Sequence, residues 1–414
     1  MKKHISIFIL MVGFNCVGTI NNKHINKKGS EFNKPWVRNL QQAFMGIPTK
    51  VKKSDYLFAW TANKIPMPRF TETFANRWGI IQGGQNHFQS IMRLPYHLNL
   101  SDYIVITGSD PHGRDKDNPK TKGSKLIVIK MGSERGKLKW NGNIKSANKN
   151  DRIVKLITFD KDLWHAGGMD IEGKYLAVPV EKGGVNEDSG EKSKIIIFDI
   201  TNPEKPLKIT EVVRNGVKCG VASLIRLDDG HYLLGAFSDS DKLPVRYDFY
   251  YSKTTNMKDG FEKKPHVVYA KDFQNHDIDK KYQNINFVRD YNTGEIFAIG
   301  TRNTNALAPV INGKDKAELF KITYRGKKDI KIRNTGIERH FYCKDNQCNF
   351  NAGTGLFVPD THHLALYAVP HWLPDDGKTV HFNQYFYLKP QSLIKMEEEL
   401  ERHLEERNIA HEQK

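Results

Sequence analysis

The chain has 414 residues, with 64 Lys and Arg against 47 Asp and Glu, for a formal net charge of +17. Its 22 Phe, 16 Tyr and 6 Trp exclude a disordered chain, and four Cys are too few for a disulfide-framework scaffold. No apolar run reaches the roughly 18 residues of a spanning helix, which excludes a polytopic membrane protein and leaves a chain able to bury a large core.

The chain opens as a secretory signal. Lys2 and Lys3 precede the short apolar run Ile5 to Val12, and small residues follow in Cys16-Val17-Gly18-Thr19. Residues 1–20 are therefore read as a signal peptide and residues 21–50 as a polar N-terminal extension. A secreted or periplasmic bacterial product follows. Gly13, Phe14 and Asn15 are a poor lipobox, so a free product is favoured over a lipid anchor at Cys16.

From residue 51 to 390 five segments repeat one plan: a polar or small lead-in, an apolar strand, a turn, a second apolar strand, then an outer strand. The lead positions are His87, His165, Gly220, Gln283 and Asn351, spaced 55 to 78 residues apart. Arg152 to Thr158, Leu207 to Val213 and His266 to Tyr269 supply further outer strands. Turn-separated strands with no helical period between them predict an all-β chain, a β-propeller of five or six blades. A pair of β-sandwiches is the alternative, although it gives no reason for the recurrence. Small residues at the inner strands (Gly167, Ala222, Gly353) suit a crowded centre. Tyr56 to Trp60 is placed to pair with the last unit and hide both edges. Leu393, Met396, Leu400 and Leu404 recur at helical spacing, so residues 391–414 are read as an amphipathic helix on the rim followed by a tail.

The segment Tyr175-Leu-Ala-Val-Pro-Val-Glu181, followed by Ile195-Ile-Ile-Phe-Asp-Ile-Thr-Asn-Pro-Glu-Lys-Pro206, resembles the LVIVD-type propeller repeat of secreted and surface bacterial proteins. Asp199, Thr201, Asn202, Pro203 and Pro206 fill the places of that pattern. The resemblance covers one unit well and implies the fold, not a reaction.

In such a ring the inner strands converge on an axis, and their entry ends line a funnel. His87, Gln89, His165, Asn286 and Asn351 are expected there, with Cys219 and Tyr282 beside them. His87 and His165 are the candidate catalytic acid and base, or the ligands of a divalent metal with Asp110 or Glu181 nearby. Gln89, Asn286, Asn351 and Tyr282 are the candidate binding residues. Hydrogen bonding to backbone between units would place the same polar residues there with no ligand at all. His362-His363 and His371 form a second cluster whose side chains alternate in direction. Asp239-Ser-Asp241 and Asp277-Ile-Asp279 lack the rest of a calcium loop and read as turns in water. Gly83-Gly84, Gly167-Gly168 and Gly183-Gly184 lack a nucleotide-binding context and read as turns or close-packed strands.

Cys343 and Cys348 bracket a turn-prone tetrapeptide and are placed to form a disulfide; a metal site has no second Cys pair to draw on. Cys219 is then a buried structural residue. The basic residues are dispersed. The densest run, Lys321 to Lys331, reads as strand, turn, strand with no nucleic-acid motif beside it. An anionic glycan or a membrane surface suits the charge as well as nonspecific nucleic acid does. Two functions stand: a monomeric binding module whose funnel or face holds a glycan, small molecule or protein partner, and a propeller-type hydrolase or lyase with a His-lined, metal-dependent site.

Overall fold

The structure is a computed structural model that describes residues 34–50, 55–58, 87–109, 123–132, 151–160, 162–182, 192–238, 245–269, 282–303, 315–327, 329–343, 348–350, 353–370 and 379–412. The signal-peptide and lipid-anchor readings, the loops at 239–241 and 277–279, the glycine pairs 83–84 and 183–184, and Asp110, Asn351 and His371 lie outside those residues.

The chain is mostly β, built from several antiparallel sheets. A short helix α1 (Leu40–Gly46) and strand β1 (Asp55–Phe58) come first. Among the described residues, five four-stranded units follow. The first is β2 (His87–Arg93), β3 (Tyr103–Ser109), β4 (Lys125–Lys130) and β5 (Arg152–Thr158). The second is β6 (His165–Ala166) with β7 (Asp170–Glu172), then β8 (Tyr175–Glu181), β9 (Lys192–Asp199) and β10 (Leu207–Asn215). The third is β11 (Val221–Arg226), β12 (Tyr232–Ser238), β13 (Arg246–Tyr251) and β14 (His266–Tyr269). The fourth is β15 (Asn284–Arg289), β16 (Ile296–Asn303), β17 (Asp315–Tyr324) and β18 (Ile330–Phe341). The fifth is β19 (Gly353–Phe357), β20 (Leu364–Val369) and β21 (Thr379–Tyr387), completed from the far end of the sequence by β1, which pairs antiparallel with β21. Helix α2 (Gln391–Glu412) ends the chain.

Most inner and middle strands are buried along their length because each sheet is covered on both sides, whereas the outer strands β5, β10 and β18 are partly exposed. Five core clusters lie one between each neighbouring pair of units, and together they close a cycle. Leu126 and Val128 meet Leu176 and Val178 between units one and two; Ile195 and Ile197 meet Leu224 and Leu234 between two and three. Phe237 and Phe249 meet Phe287 and Phe320 between three and four. Leu319 and Phe341 meet Leu356 and Leu366 between four and five, and Phe357 and Tyr367 meet Phe88 and Ile106 between five and one. Each fully buried Phe or Leu contributes roughly 1.5–3 kcal/mol.

The innermost strands also touch around the cycle. Gly168 bridges Val221, and Thr354 pairs in parallel with Ser90. Met169 N donates to Ser90 Oγ (3.4 Å), Ser223 Oγ to Ile285 O (2.6 Å) and Asn284 Nδ2 to Thr354 O (2.5 Å), and from the second strand of unit one Thr107 Oγ1 donates to Gly167 O (2.9 Å). The inner strand of unit two breaks between β6 and β7 opposite Pro179, which has no N–H to donate. At that break a Cβ on Gly167 would lie 1.8 Å from Gly220 O, so the close approach demands glycine.

The N-terminal extension closes one end of the centre. Lys34 Nζ reaches Asp170 Oδ1 (2.8 Å) and Phe287 O (2.7 Å). Leu40, Ala43, Phe44 and Ile47 then pack into the core between units four and five. Helix α2 departs from expectation. Leu393, Met396, Leu400 and Leu404 face water and Ile394 is the buried residue. Acidic contacts hold the helix instead: Glu397 binds Lys389 and Asn39, and Glu401 binds Arg38.

Candidate functional site

Strand alternation and antiparallel register put the first residue of each inner strand beside the last residue of the second strand. His87 therefore pairs with Ser109, and His165 with Glu181. Gln89 lies two residues into β2, at a break in its register with β3. Its Nε2 contacts His87 Nε2 and lies 3.0 Å from His165 Nε2, and the two imidazole centroids are 6.0 Å apart. The structure thus brings together three of the residues that the sequence places at the mouth.

On the other side of the ring, His165 Nδ1 faces Glu181 Oε1 at 3.1 Å, and Glu181 Oε2 accepts the Cys219 N–H at 2.5 Å. Burial alone would raise the Glu181 carboxyl. His165, the Cys219 amide and the Lys218 charge outweigh it and hold the group below its ordinary value. Glu181 is thus an ionised anchor that fixes the ring of His165. Trp164 packs edge-on against the same ring.

Around this centre the polar groups are engaged with one another. Asp248 receives both Arg214 Nη2 (2.6 Å) and Arg246 Nη2 (2.9 Å). Glu318 Oε2 accepts from the Tyr282 hydroxyl and from Arg302 Nε, each at 2.8 Å. Tyr282 thus lies buried beside the mouth, locked to unit four. Burial pushes the Cys219 thiol up to about 12, so it is an unreactive core residue. Ser109 Oγ, beside His87, is buried without a hydrogen-bond partner among the described residues.

Asn286 is placed elsewhere. It lies two residues deeper than Asn284 along β15, and its Nδ2 donates to Met169 O and Asp170 Oδ1, each at 3.0 Å. Asp170 is the hub of the closed end. Its carboxylate also accepts from the backbone N–H of Ile171, Leu224 and Phe287. Asp170 escaped the sequence reading; its signal was an acid inside the short apolar run Met169-Asp-Ile. The Arg214–Asp248–Arg246 group was missed for the same reason, an acid in the aromatic strand Tyr247-Asp-Phe-Tyr.

A divalent metal would have two imidazole Nε2 atoms here once the Gln89 amide moved aside, with Glu181 orienting one ligand from behind. Asp315, Cys343 and Cys348 have ligand atoms within 4.8 Å of one another, but the two sulfurs form the Cys343–Cys348 disulfide. His363 is tied to Asp360 (2.8 Å) and His362 lies 3.9 Å from Glu397, so that pair is split between a turn and α2. Among the described residues no helix is long and apolar enough to cross a membrane.

No protein-family model matches the chain, and no curated protein matches it. Solved structures with similar backbones include a thermostable family-43 glycoside hydrolase (10% identity, TM-score 0.40, 74% of this chain and 91% of that one). A structure from the mannoside phosphorylase family with hydrolases targeting β-1,2 mannosidic linkages in Candida mannan is similar at 10% identity and TM-score 0.39, over 81% and 96%. A glycosyl hydrolase from Bacteroides ovatus is similar at 10% identity and TM-score 0.37, over 84% and 93%. Likeness at this level carries no argument about activity.

Proposed function

We propose that the five units form a five-bladed β-propeller, exported through its N-terminal signal, whose axial mouth binds a glycan. The observation that carries the reading is the convergence of two imidazole Nε2 atoms on the Gln89 amide, with His165 fixed by Glu181. Sugar hydroxyls both donate and accept. A rigid set of imidazole and amide groups on strands, each able to donate and accept, suits them, and the opposite end of the axis is filled by Lys34. Tyr175 to Glu181 with Asp199 to Pro206 adds an LVIVD-like repeat to this reading, and Asp199 there caps its turn by accepting from Thr201 N (2.9 Å).

Binding ranks above hydrolysis because glycoside cleavage asks for one protonated and one free carboxyl flanking a bond. Glu181 is held ionised by its neighbours, Asp248 is shared by two guanidinium groups, and Glu318 is bonded to Tyr282 and Arg302. The second reading is a metal-dependent hydrolase or lyase in which the metal takes the place of the Gln89 amide between His87 and His165. Glu181 behind His165 favours it.

The test is metal analysis and glycan-array binding of the purified mature protein beside His165→Ala and Gln89→Ala. Glycan binding that resists chelators and falls at least tenfold in both variants supports the binding module. A stoichiometric metal lost in His165→Ala moves the function to the enzyme. Unchanged glycan binding in both variants, or no glycan bound and no metal held, overturns the axial site.

A further inference from the structure

The Cys343–Cys348 disulfide follows the end of β18 in unit four, beside the start of β17. Its two sulfurs sit in different surroundings. Cys343 is half-buried. Cys348 is 4% exposed and packs with Phe341, Phe350 and Tyr385 in the core between units four and five.

Polar groups converge on the buried sulfur. Asn383 Nδ2 donates to Cys348 Sγ at 3.1 Å. Tyr385 Oη lies 3.2 Å from Cys348 Sγ and 3.6 Å from Cys343 Sγ, and it donates to Tyr342 O at 3.1 Å. Both side chains are fully buried. The Asp315 carboxyl, also buried, lies within 4.8 Å of both sulfurs. A disulfide that only pins a loop is held as well by apolar neighbours, and burying an amide, a phenol and a carboxyl around it costs more. An amide N–H and a phenol O–H aimed at one sulfur stabilise negative charge there. Burial lifts the Asp315 carboxyl to about 6, which suits a group that passes a proton near neutral pH.

We propose that this disulfide is a thiol-exchange site, opened and re-formed by a partner of the dithiol class, with Cys343 as the attacked sulfur and Cys348 as the leaving group. A thiolate of the partner attacks Cys343 Sγ. The new S–S bond forms as the Cys343–Cys348 bond breaks, and the electron pair leaves on Cys348 Sγ. Asn383 and Tyr385 hold that thiolate until it takes a proton from the Asp315 carboxyl, which regains one from water. The partner's second thiolate then attacks the partner's own sulfur in the mixed disulfide, and Cys343 departs as a thiolate that water protonates. The chain gains two electrons and two protons, and the partner becomes a disulfide. In the reverse direction the Asp315 carboxylate takes the Cys348 proton. The site is independent of whatever the axial mouth holds.

Reduction of the mature chain by dithiothreitol tests it, read by alkylation of Cys343 and Cys348 in the folded protein and in urea. A buried disulfide that only pins a loop is protected by folding. Here the folded chain should react at least as fast as the unfolded one. Asn383→Leu and Asp315→Asn should each slow the folded chain about tenfold and leave the rate in urea unchanged, since each removes one group that serves the leaving sulfur. Glutathione in place of the dithiol should be trapped on Cys343, located by peptide mass analysis of the wild type, a readout that needs no variant to fold. Slower reaction in the folded chain than in urea, glutathione on Cys348, or an unchanged or faster folded rate in both variants overturns the proposal.

Discussion

Glu172 sits in β7, 4% exposed, where its carboxylate accepts the backbone N–H of Lys34 (3.2 Å). Burial pushes its carboxyl up to about 7; Lys34 and Arg289 oppose the rise and Asp170 adds to it. The folded chain therefore holds this proton more tightly than the unfolded chain. Its contribution to stability is present at acid pH and is lost as pH rises from the unfolded value toward 7. Glu172→Gln keeps the acceptor and removes the titration. The variant should match the wild type near pH 4 and be more stable at pH 8, by about 1–3 kcal/mol. Urea unfolding at both pH values checks this, and an equal change at both would show that Glu172 acts through packing alone. Asp315 behaves alike: burial lifts its carboxyl to about 6 against the hydrogen bonds from Phe350 N and Asn303.

Among the elements, helix α2 shows most sharply what periodicity reveals and what it hides. Helical spacing marks the element, because i, i+3 and i+4 positions share a face. It does not say which face docks. The core was already covered by strands, and the contacts left to the helix were Arg38, Asn39 and Lys389, which call for Glu397 and Glu401. Replacing exposed Leu400 and Leu404 by Glu should then shift stability by no more than about 0.5 kcal/mol, whereas Ile394→Ala should cost about 2 kcal/mol or more. Thermal melts of the two variants decide it; a large loss in the Leu400/Leu404 variant would mean the stripe is covered. Strands were more legible than sites. Each inner strand announced itself by an unbroken apolar run bounded by turns, and Asp55–Phe58 by an aromatic segment with no local partner. His87, Gln89 and His165 were legible because polar residues recurred at the strand starts. Asn286 was misplaced by one pleat, since each residue advances about 3.3 Å and two residues carry a side chain from the mouth into the interior. Pairings across units, such as Asp170 with Leu224 and Phe287, depend on the three-dimensional closure and leave no spacing in the sequence.

At the scale of the molecule, stability rests on closure, because each unit buries its faces only against its neighbours. Asp170 gathers that closure at one point. It is fully buried, and it accepts from units two, three and four and from Lys34 of the N-terminal extension. Removing the ammonium leaves a buried carboxylate held by neutral amides alone. Lys34→Met should therefore cost about 3–5 kcal/mol, the range for breaking a buried ion pair. The same change in an Asp170→Asn background should cost much less, since no charge remains to be compensated, although Asp170→Asn itself loses an acceptor that two backbone amides need. The difference between the two costs, about 1–3 kcal/mol, is the coupling of the N-terminal extension to the centre. Chemical denaturation of the four proteins measures it. Equal costs in both backgrounds would mean that Lys34 stabilises through Phe287 O and packing, and that the extension is an added strap and not part of the hub.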